Sequence, residues 1–228
     1  MLTFTSNAMN HNTDHINRRE ASLVRRLSVA QAHHAVDVLC NAFHDYPVMR
    51  YVIGPVGGDY DRRLRTLVNF FVMARVWRDD PILGVSNGSE LIAVATLTLP
   101  GKRQAPAALA QLREALWREL GDAARLRYEA FGQATQKFDM NQPHYHINMI
   151  GVRRSHAGQG LARLLLDAVH AMSSRDPVSL GVTLTTEDFQ NVSLYRHFGY
   201  QVVGHARVDA QLETWSLFRA NNGSADNG

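Results

Sequence analysis

One cysteine, seven prolines and no long apolar run mark what this 228-residue chain leaves out. The single Cys40 excludes an internal disulfide framework and suits a reducing compartment, so a cytoplasmic setting is expected. Cys40 lies in the apolar helical pattern "AVDVLCNAF", which predicts a buried, inert thiol rather than a nucleophile. No apolar stretch approaches the ~18 residues of a membrane span. The opening "MLTFTSNAMNHNTDHINRRE" lacks the apolar centre of a secretory signal, so no membrane association is expected. Charge of one sign is lacking too: 24 Lys and Arg stand against 21 Asp and Glu, interleaved, for a formal charge of +3. That balance carries no nucleic-acid footprint, and a pI near 9.2 suits a small anionic ligand. There is no repeat of 20–50 residues and no low-complexity linker.

What is present is 45% hydrophobic residues, enough for one sizeable core. Residues 21–220 are expected to form a single domain, with disordered segments at 1–20 and 221–228. "SLVRRLS" (22–28) reads as a first strand. Val36, Leu39, Cys40 and Phe43 recur at helical spacing between 30 and 44, and Pro47 is expected to stop that helix. A second helix is predicted over 60–77. The period then changes: 82–99 reads as two strands around Ser86-Asn87-Gly88, a hairpin signal. Helix returns over 106–138, broken near Gly121-Asp122. Residues 145–152 read as strand, 161–173 as helix, 178–186 as strand, 191–198 as a short helix, and 200–208 and 213–219 as closing strands. The expectation is an α/β chain with one sheet and helices on its faces, in which 145–186 forms a parallel crossover.

The segment "HINMIGVRRSHAGQGLARLLLDAVHAM" (146–172) passes from strand to helix through Gly158-Gln159-Gly160. A helix N-terminus has unpaired N–H groups and partial positive charge, and glycine lets a phosphate approach closely. Ala157–Ala162 therefore reads either as a pyrophosphate cradle or as a plain tight turn. A P-loop would need G-x-x-x-x-G-K-S/T, which does not occur. A dinucleotide fingerprint would need glycine where Arg163 stands, and Arg163 is too bulky for that packing.

Ala157-Gly158-Gln159-Gly160-Leu161-Ala162 resembles the acyl-CoA loop of the GNAT acetyltransferases, R/Q-x-x-G-x-G/A, apart from Ala157 at the first position. "TTEDFQNVSLYRHFGYQVV" resembles the family's C-terminal segment through Asn191, Tyr195 and Gly199-Tyr200. With "NAFHDYPVMRYV" and the helical insert at 106–138, the resemblance spans about residues 22–219 and extends to the puromycin N-acetyltransferase-like branch. That branch often has Glu in the strand before the Asn-Tyr segment, where this chain has Thr185, which argues against puromycin itself as substrate.

The resemblance implies a GNAT fold: a mixed, mostly antiparallel, twisted sheet of about seven strands with helices on both faces. It implies transfer of an acetyl group from acetyl-CoA to a primary amine of a small molecule, by direct attack in a ternary complex. It implies that the strands ending at Val152 and starting at 178 splay to admit the pantetheine arm. Binding would then involve Ile150, Gly151 and Val152, the turn from Ala157 to Ala162 (Gly158, Gln159, Gly160 and Leu161 included) and Asn191, whose plain alternative is a helix N-cap. Tyr195 would be the general acid. For the base, His146 is the first candidate, with Glu187 or a water chain as alternatives. Strict alternation puts His144, His146 and Asn148 on one strand face and Tyr145, Ile147 and Met149 on the other, unless a bulge changes the phase. Arg153, Arg154 and Arg163 flank the turn and are either phosphate partners or solvated. Asp45, Tyr46 and Tyr51 are candidates for gripping the amine, and Trp77 and Trp117 read as packing. No metal is expected, and the chain is expected to be a monomer or homodimer. The alternatives are acetylation of a protein N-terminus or lysine, and a non-catalytic acyl-CoA sensor.

Overall fold

The computed structural model describes residues 23–55, 57–101 and 106–221. The expected disordered segment 1–20 and residues 222–228 of the expected tail lie outside these. Asn221 is held in place: its side-chain amide donates to the carbonyls of Ser173 and Ser179 at 2.9 and 2.8 Å.

Among the described residues, seven strands form one sheet in the order β1-β2-β3-β4-β5-β7-β6. They are β1 (Val24–Arg26), β2 (Ile82–Asn87), β3 (Glu90–Thr98), β4 (Tyr145–Val152), β5 (Gly181–Thr186), β6 (Gln201–Arg207) and β7 (Glu213–Ala220). Every pair is antiparallel except β4 with β5, which the crossover helix joins in parallel. The helices are α1 (Ala32–Phe43), α2 (Pro47–Ile53), α3 (Tyr60–Trp77), α4 (Ala107–Leu120), α5 (Asp122–Gln136), α6 (Leu161–Arg175) and α7 (Phe189–His197).

Two cores sit on the two sides of the sheet. One joins α1 to α5 with Ile82, Leu91, Val94, Met149 and Leu212, and includes the packed Trp117. The other joins α6 to Leu97, Tyr145, Ile147, Leu184, Tyr195 and Leu217. Leu39, Leu165 and Leu217 are fully buried, and each such side chain contributes about 1.5–3 kcal/mol of transfer free energy.

Three local features differ from the sequence reading. Pro47 does more than stop α1: it is the first residue of a further helix, α2, where its missing N–H costs nothing and its fixed φ suits the first turn. The hairpin loop is Gly88-Ser89, with Asn87 paired to Glu90 and Gly88 at φ +59°, so the glycine takes the left-handed first loop position. In β4 the register slips by one residue, because Thr96 pairs with Met149 while Leu97 pairs with Ile147. Asn148 is the extra residue of a bulge. Strict alternation therefore fails at Met149, which packs with α1–α5 while Tyr145 and Ile147 pack with α6.

Candidate active site

The bulge marks where the sheet opens. β4 and β5 pair only through Tyr145↔Val182, His146↔Thr183 and Ile147↔Leu184. Beyond Ile147, β4 stays on β3 as far as Val152 and β5 stays on β7 as far as Thr186, leaving a wedge between them. The Arg153 N–H donates to the Ile92 carbonyl at 2.8 Å, on the β3 side. Backbone groups alternate in direction along an antiparallel strand. Gly151 therefore faces β3 with Arg153, and the backbone groups of Ile150 and Val152 face the wedge. The bulged Asn148 is clasped from the other side: its carbonyl accepts from Arg75 at 2.6 Å and its amide donates to Thr98 at 3.0 Å.

β4 leads through a short turn into Ala157, whose N–H donates to Arg154 at 3.2 Å. Gly158 and Gly160 both have φ +77°, a left-handed backbone that glycine adopts without strain. Gly160 is the N-cap of α6 and offers no side chain to close it. Among the described residues, the N–H groups from Gly158 to Arg163 have no hydrogen-bond acceptor. A Cβ built at either glycine would meet nothing within 4 Å. Packing therefore does not demand glycine here. The backbone conformation does, and the space before the amides stays open.

The three flanking arginines are all paired. Arg153 donates to the Leu91 carbonyl and lies 3.2 Å from Glu90, Arg154 holds Asp45 at 2.6 Å, and Arg163 stands 3.6 Å from Asp167.

The wedge opens into a cavity of about 770 Å3 reaching under α1, α2 and α3. Tyr195 of α7 lines it, buried, with its ring edge-on to Tyr200 at 5.8 Å. Its hydroxyl has no hydrogen-bond partner among the described residues. Burial, and then the nearby Glu187, hold its pKa above the ordinary tyrosine value, so the phenol keeps its proton.

Glu187 lines the same cavity and is 9% exposed. Its carboxylate accepts from Thr214 at 2.8 Å, and its backbone N–H donates to the Tyr46 hydroxyl at 3.1 Å. Burial pushes its carboxyl up to about 7, against the downward pull of Thr214 and Tyr46. The Tyr46 hydroxyl also shares a hydrogen bond with Thr186 at 2.9 Å, so one tyrosine ties α2's leading edge to the end of β5. His146 lines the cavity with Nδ1 2.9 Å from the Thr183 hydroxyl. Burial, then His144 and Arg75, lower its pKa to about 4, which leaves the imidazole neutral and a weak base.

Of the three residues expected to grip an amine, only Tyr46 reaches the cavity. Asp45 is engaged with Arg50, Arg154 and His44, and the Tyr51 hydroxyl donates to Asp209 at 2.8 Å. Asn191 lines the cavity but is not the N-cap of α7: Asp188 is, accepting from the Gln190 N–H at 2.9 Å. Burial pushes the Cys40 thiol up to about 11, opposite to an activated nucleophile, and Cys40 does not line this cavity. Arg75 and Thr214 were not singled out from sequence. Thr214 reaches Glu187 only through the β5–β7 pairing, which no local pattern reveals.

The comparisons with known proteins agree with this architecture. Residues 122–215 match the family model described as Acetyltransferase (GNAT) domain. Among solved structures, the chain resembles one described as histone acetyltransferase HPA2 and related acetyltransferase from Corynebacterium glutamicum, at TM-score 0.61 and 19% identity, covering 88% of this chain and 97% of that one. It also resembles the ribosomal-protein-S18-alanine N-acetyltransferase of Escherichia coli, at TM-score 0.53 and 12% identity over 90% of this chain and 97% of that one. A third is the C-terminal condensation domain of Ebony in complex with beta-alanyl-dopamine, at 0.55 and 13% over 86% and 97%. The fold is that of the GNAT acetyltransferases, and the residues that match the GNAT domain model, 122–215, include the wedge strands, the glycine turn and Tyr195.

Proposed function

We propose that this protein is an N-acetyltransferase that moves the acetyl group of acetyl-CoA to a primary amine of a small molecule, by direct attack within a ternary complex. One observation carries the reading: the wedge between β4 and β5 opens into a cavity lined by Tyr195 and Glu187, and β4, which forms one side of that wedge, leads into the uncapped N-terminus of α6. A diphosphate fits the open amides from Gly158 to Arg163, and an amide-bearing arm fits the backbone groups of Ile150 and Val152.

Acetyl transfer needs a neutral amine, a donor for the oxyanion and a proton for the departing thiolate. Glu187, poised near neutrality, takes the proton from the incoming ammonium. The backbone N–H of Ile150 faces the wedge and donates to the oxygen of the tetrahedral intermediate. Tyr195 keeps its proton until the C–S bond breaks, gives it to the thiolate, and is reprotonated by the proton that the attacking nitrogen sheds as the amide forms. His146 is neutral above pH 4 but a weaker base than Glu187. Holding both reactants in place can itself supply on the order of 7–11 kcal/mol, so no covalent enzyme intermediate is needed. The likeness to the puromycin N-acetyltransferase-like branch rests on the motifs alone, and the anion absent at Thr185 is supplied here by Glu187.

Thiol release from acetyl-CoA across an amine panel tests the proposal. Tyr195→Phe should lower kcat about 100-fold or more while leaving KM for acetyl-CoA within about twofold. An unchanged kcat would remove Tyr195 from the acid role. Tight CoA binding with no thiol release for any amine would favour the sensor reading instead.

A further inference from the structure

The cavity that holds Tyr195 and Glu187 also limits what can carry the amine. Beyond these two groups one wall is apolar and aromatic: Phe43, Met49, Phe70, Phe71, Tyr128 and Phe131 line it from α1 to α5. Tyr128 is braced by Trp117 at 5.1 Å and by Phe71 at 6.1 Å, so this wall is built of packed rings. A binding site of this size with an apolar wall and few convergent polar groups fits a compact organic body rather than an extended chain.

The charge around it is lopsided. Among the described residues, Glu187 is the one carboxylate lining the cavity, while Arg75, Arg78 and Arg113 line it as cations. Arg75 is committed to Asn148, to Thr98 and, at 3.8 Å, to Asp80, which does not itself line the cavity. A ligand with one ammonium can place it on Glu187. A second or third ammonium would be desolvated against rings and guanidinium groups with no anion to meet it. An extended peptide would lay backbone N–H and C=O groups against the rings of Phe43, Phe70, Phe71 and Phe131, which offer them no hydrogen-bond partner.

Resting on the transferase reading above, we infer that the acceptor is an arylalkylamine: a primary amine with a single positive charge on an apolar, ring-bearing body. Its ammonium lies on Glu187 and its ring packs among Phe71, Tyr128 and Phe131. Polyamines, aminoglycosides and peptides are excluded by the same charge and polarity.

The test uses the full chain and two readouts. In the first, 2-phenylethylamine, n-propylamine, spermidine and a lysine-containing peptide are compared as acceptors by thiol release. The expected result is kcat/KM for 2-phenylethylamine at least tenfold above each of the others, because one or two buried apolar groups already discriminate by about that factor. In the second, binding of the same compounds to the CoA-saturated protein is followed by calorimetry, and the same order is expected. Phe131→Leu keeps apolar volume but removes a ring; it should raise KM for 2-phenylethylamine several-fold and leave KM for acetyl-CoA unchanged. Preference for spermidine or the peptide in both readouts, or an unchanged amine KM in Phe131→Leu, would overturn the inference. Selective binding of 2-phenylethylamine without thiol release would support the acceptor class and overturn the transferase reading, so the two fail separately.

Discussion

Thr185 and Glu187 stand two positions apart on the run that leaves β5, which turns both toward the cavity. The resemblance marks Thr185 as the place where the family branch often carries Glu, and Glu187, an alternative base in the sequence reading, lies two positions further on. What the sequence could not show is the setting that raises Glu187 to about 7: burial, relieved only in part by Thr214 and Tyr46, which arrive from β7 and the start of α2. The carboxyl rises from an ordinary value of 4.5, so its charged form is disfavoured in the folded state. Its contribution to stability is full below pH 4.5 and is lost as the pH rises through about 7. At about 1.4 kcal/mol per pH unit that loss is at most on the order of 3 kcal/mol. Glu187→Gln should therefore raise Tm at pH 8 and change it little at pH 5, less whatever the new amide N–H groups cost. The same variant should lose the rise of kcat/KM through about pH 7. If Tm at pH 8 were unchanged and the pH profile kept its limb, Glu187 would be neither charged in the cavity nor the base. His146 is the first candidate for base by residue type, and what the sequence does not show is the burial, with His144 and Arg75 beside it, that lowers its pKa to about 4.

At the scale of the element, periodicity revealed most of the secondary structure, because buried faces impose their spacing on the sequence. Helix α3 and strand β4 fall where their patterns put them, at Tyr60–Trp77 and Tyr145–Val152. The failures are positions where one residue does unexpected work. Pro47 opens a helix, Asp188 rather than Asn191 caps α7, and Asn148 adds a residue to β4 that shifts Met149 to the opposite core. The glycine turn was legible, since its two glycines precede the apolar period of α6. That its amides stay unpaired is a property of the fold around it. Gly160→Ala places a methyl in the open space before those amides and also costs about 1–2 kcal/mol for the left-handed backbone. Gly160→Asn separates the two effects, because Asn tolerates that backbone far better. Both variants should weaken CoA binding at least tenfold in calorimetry, with Gly160→Asn nearly as stable as the parent. Parental CoA affinity in both would mean that no phosphate approaches this turn.

For the whole molecule, the mixed sheet was reached through resemblance rather than through pattern, because the strand order β5-β7-β6 depends on long-range pairing. The same assembly concentrates buried titratable groups on both sides of the sheet. His146 sits in the cavity. His170 lies in the opposite core, bonded to the Tyr200 hydroxyl at 2.9 Å, and burial, then Arg219, lower its pKa to about 4. For both histidines the folded value lies below the ordinary 6.5, so their contribution is present above pH 6.5 and lost as the pH falls toward 4. Glu187 has the opposite sign over much of the same window, so one histidine is roughly offset and one remains. Between pH 7 and pH 5 the net loss is about 1–2 kcal/mol, or roughly 3–6 °C in Tm for a domain of this size. His170→Gln keeps a polar group toward Tyr200 and removes one titration, so its Tm should stay nearly level between pH 7 and pH 5. Glu187→Gln removes the opposing group, so its Tm should fall more steeply than that of the parent. Thermal unfolding of the three proteins at the two pH values measures the balance directly. Parallel Tm curves would mean that neither group changes its protonation on unfolding, and that the polar groups on both sides of the sheet are far better hydrated than their burial implies.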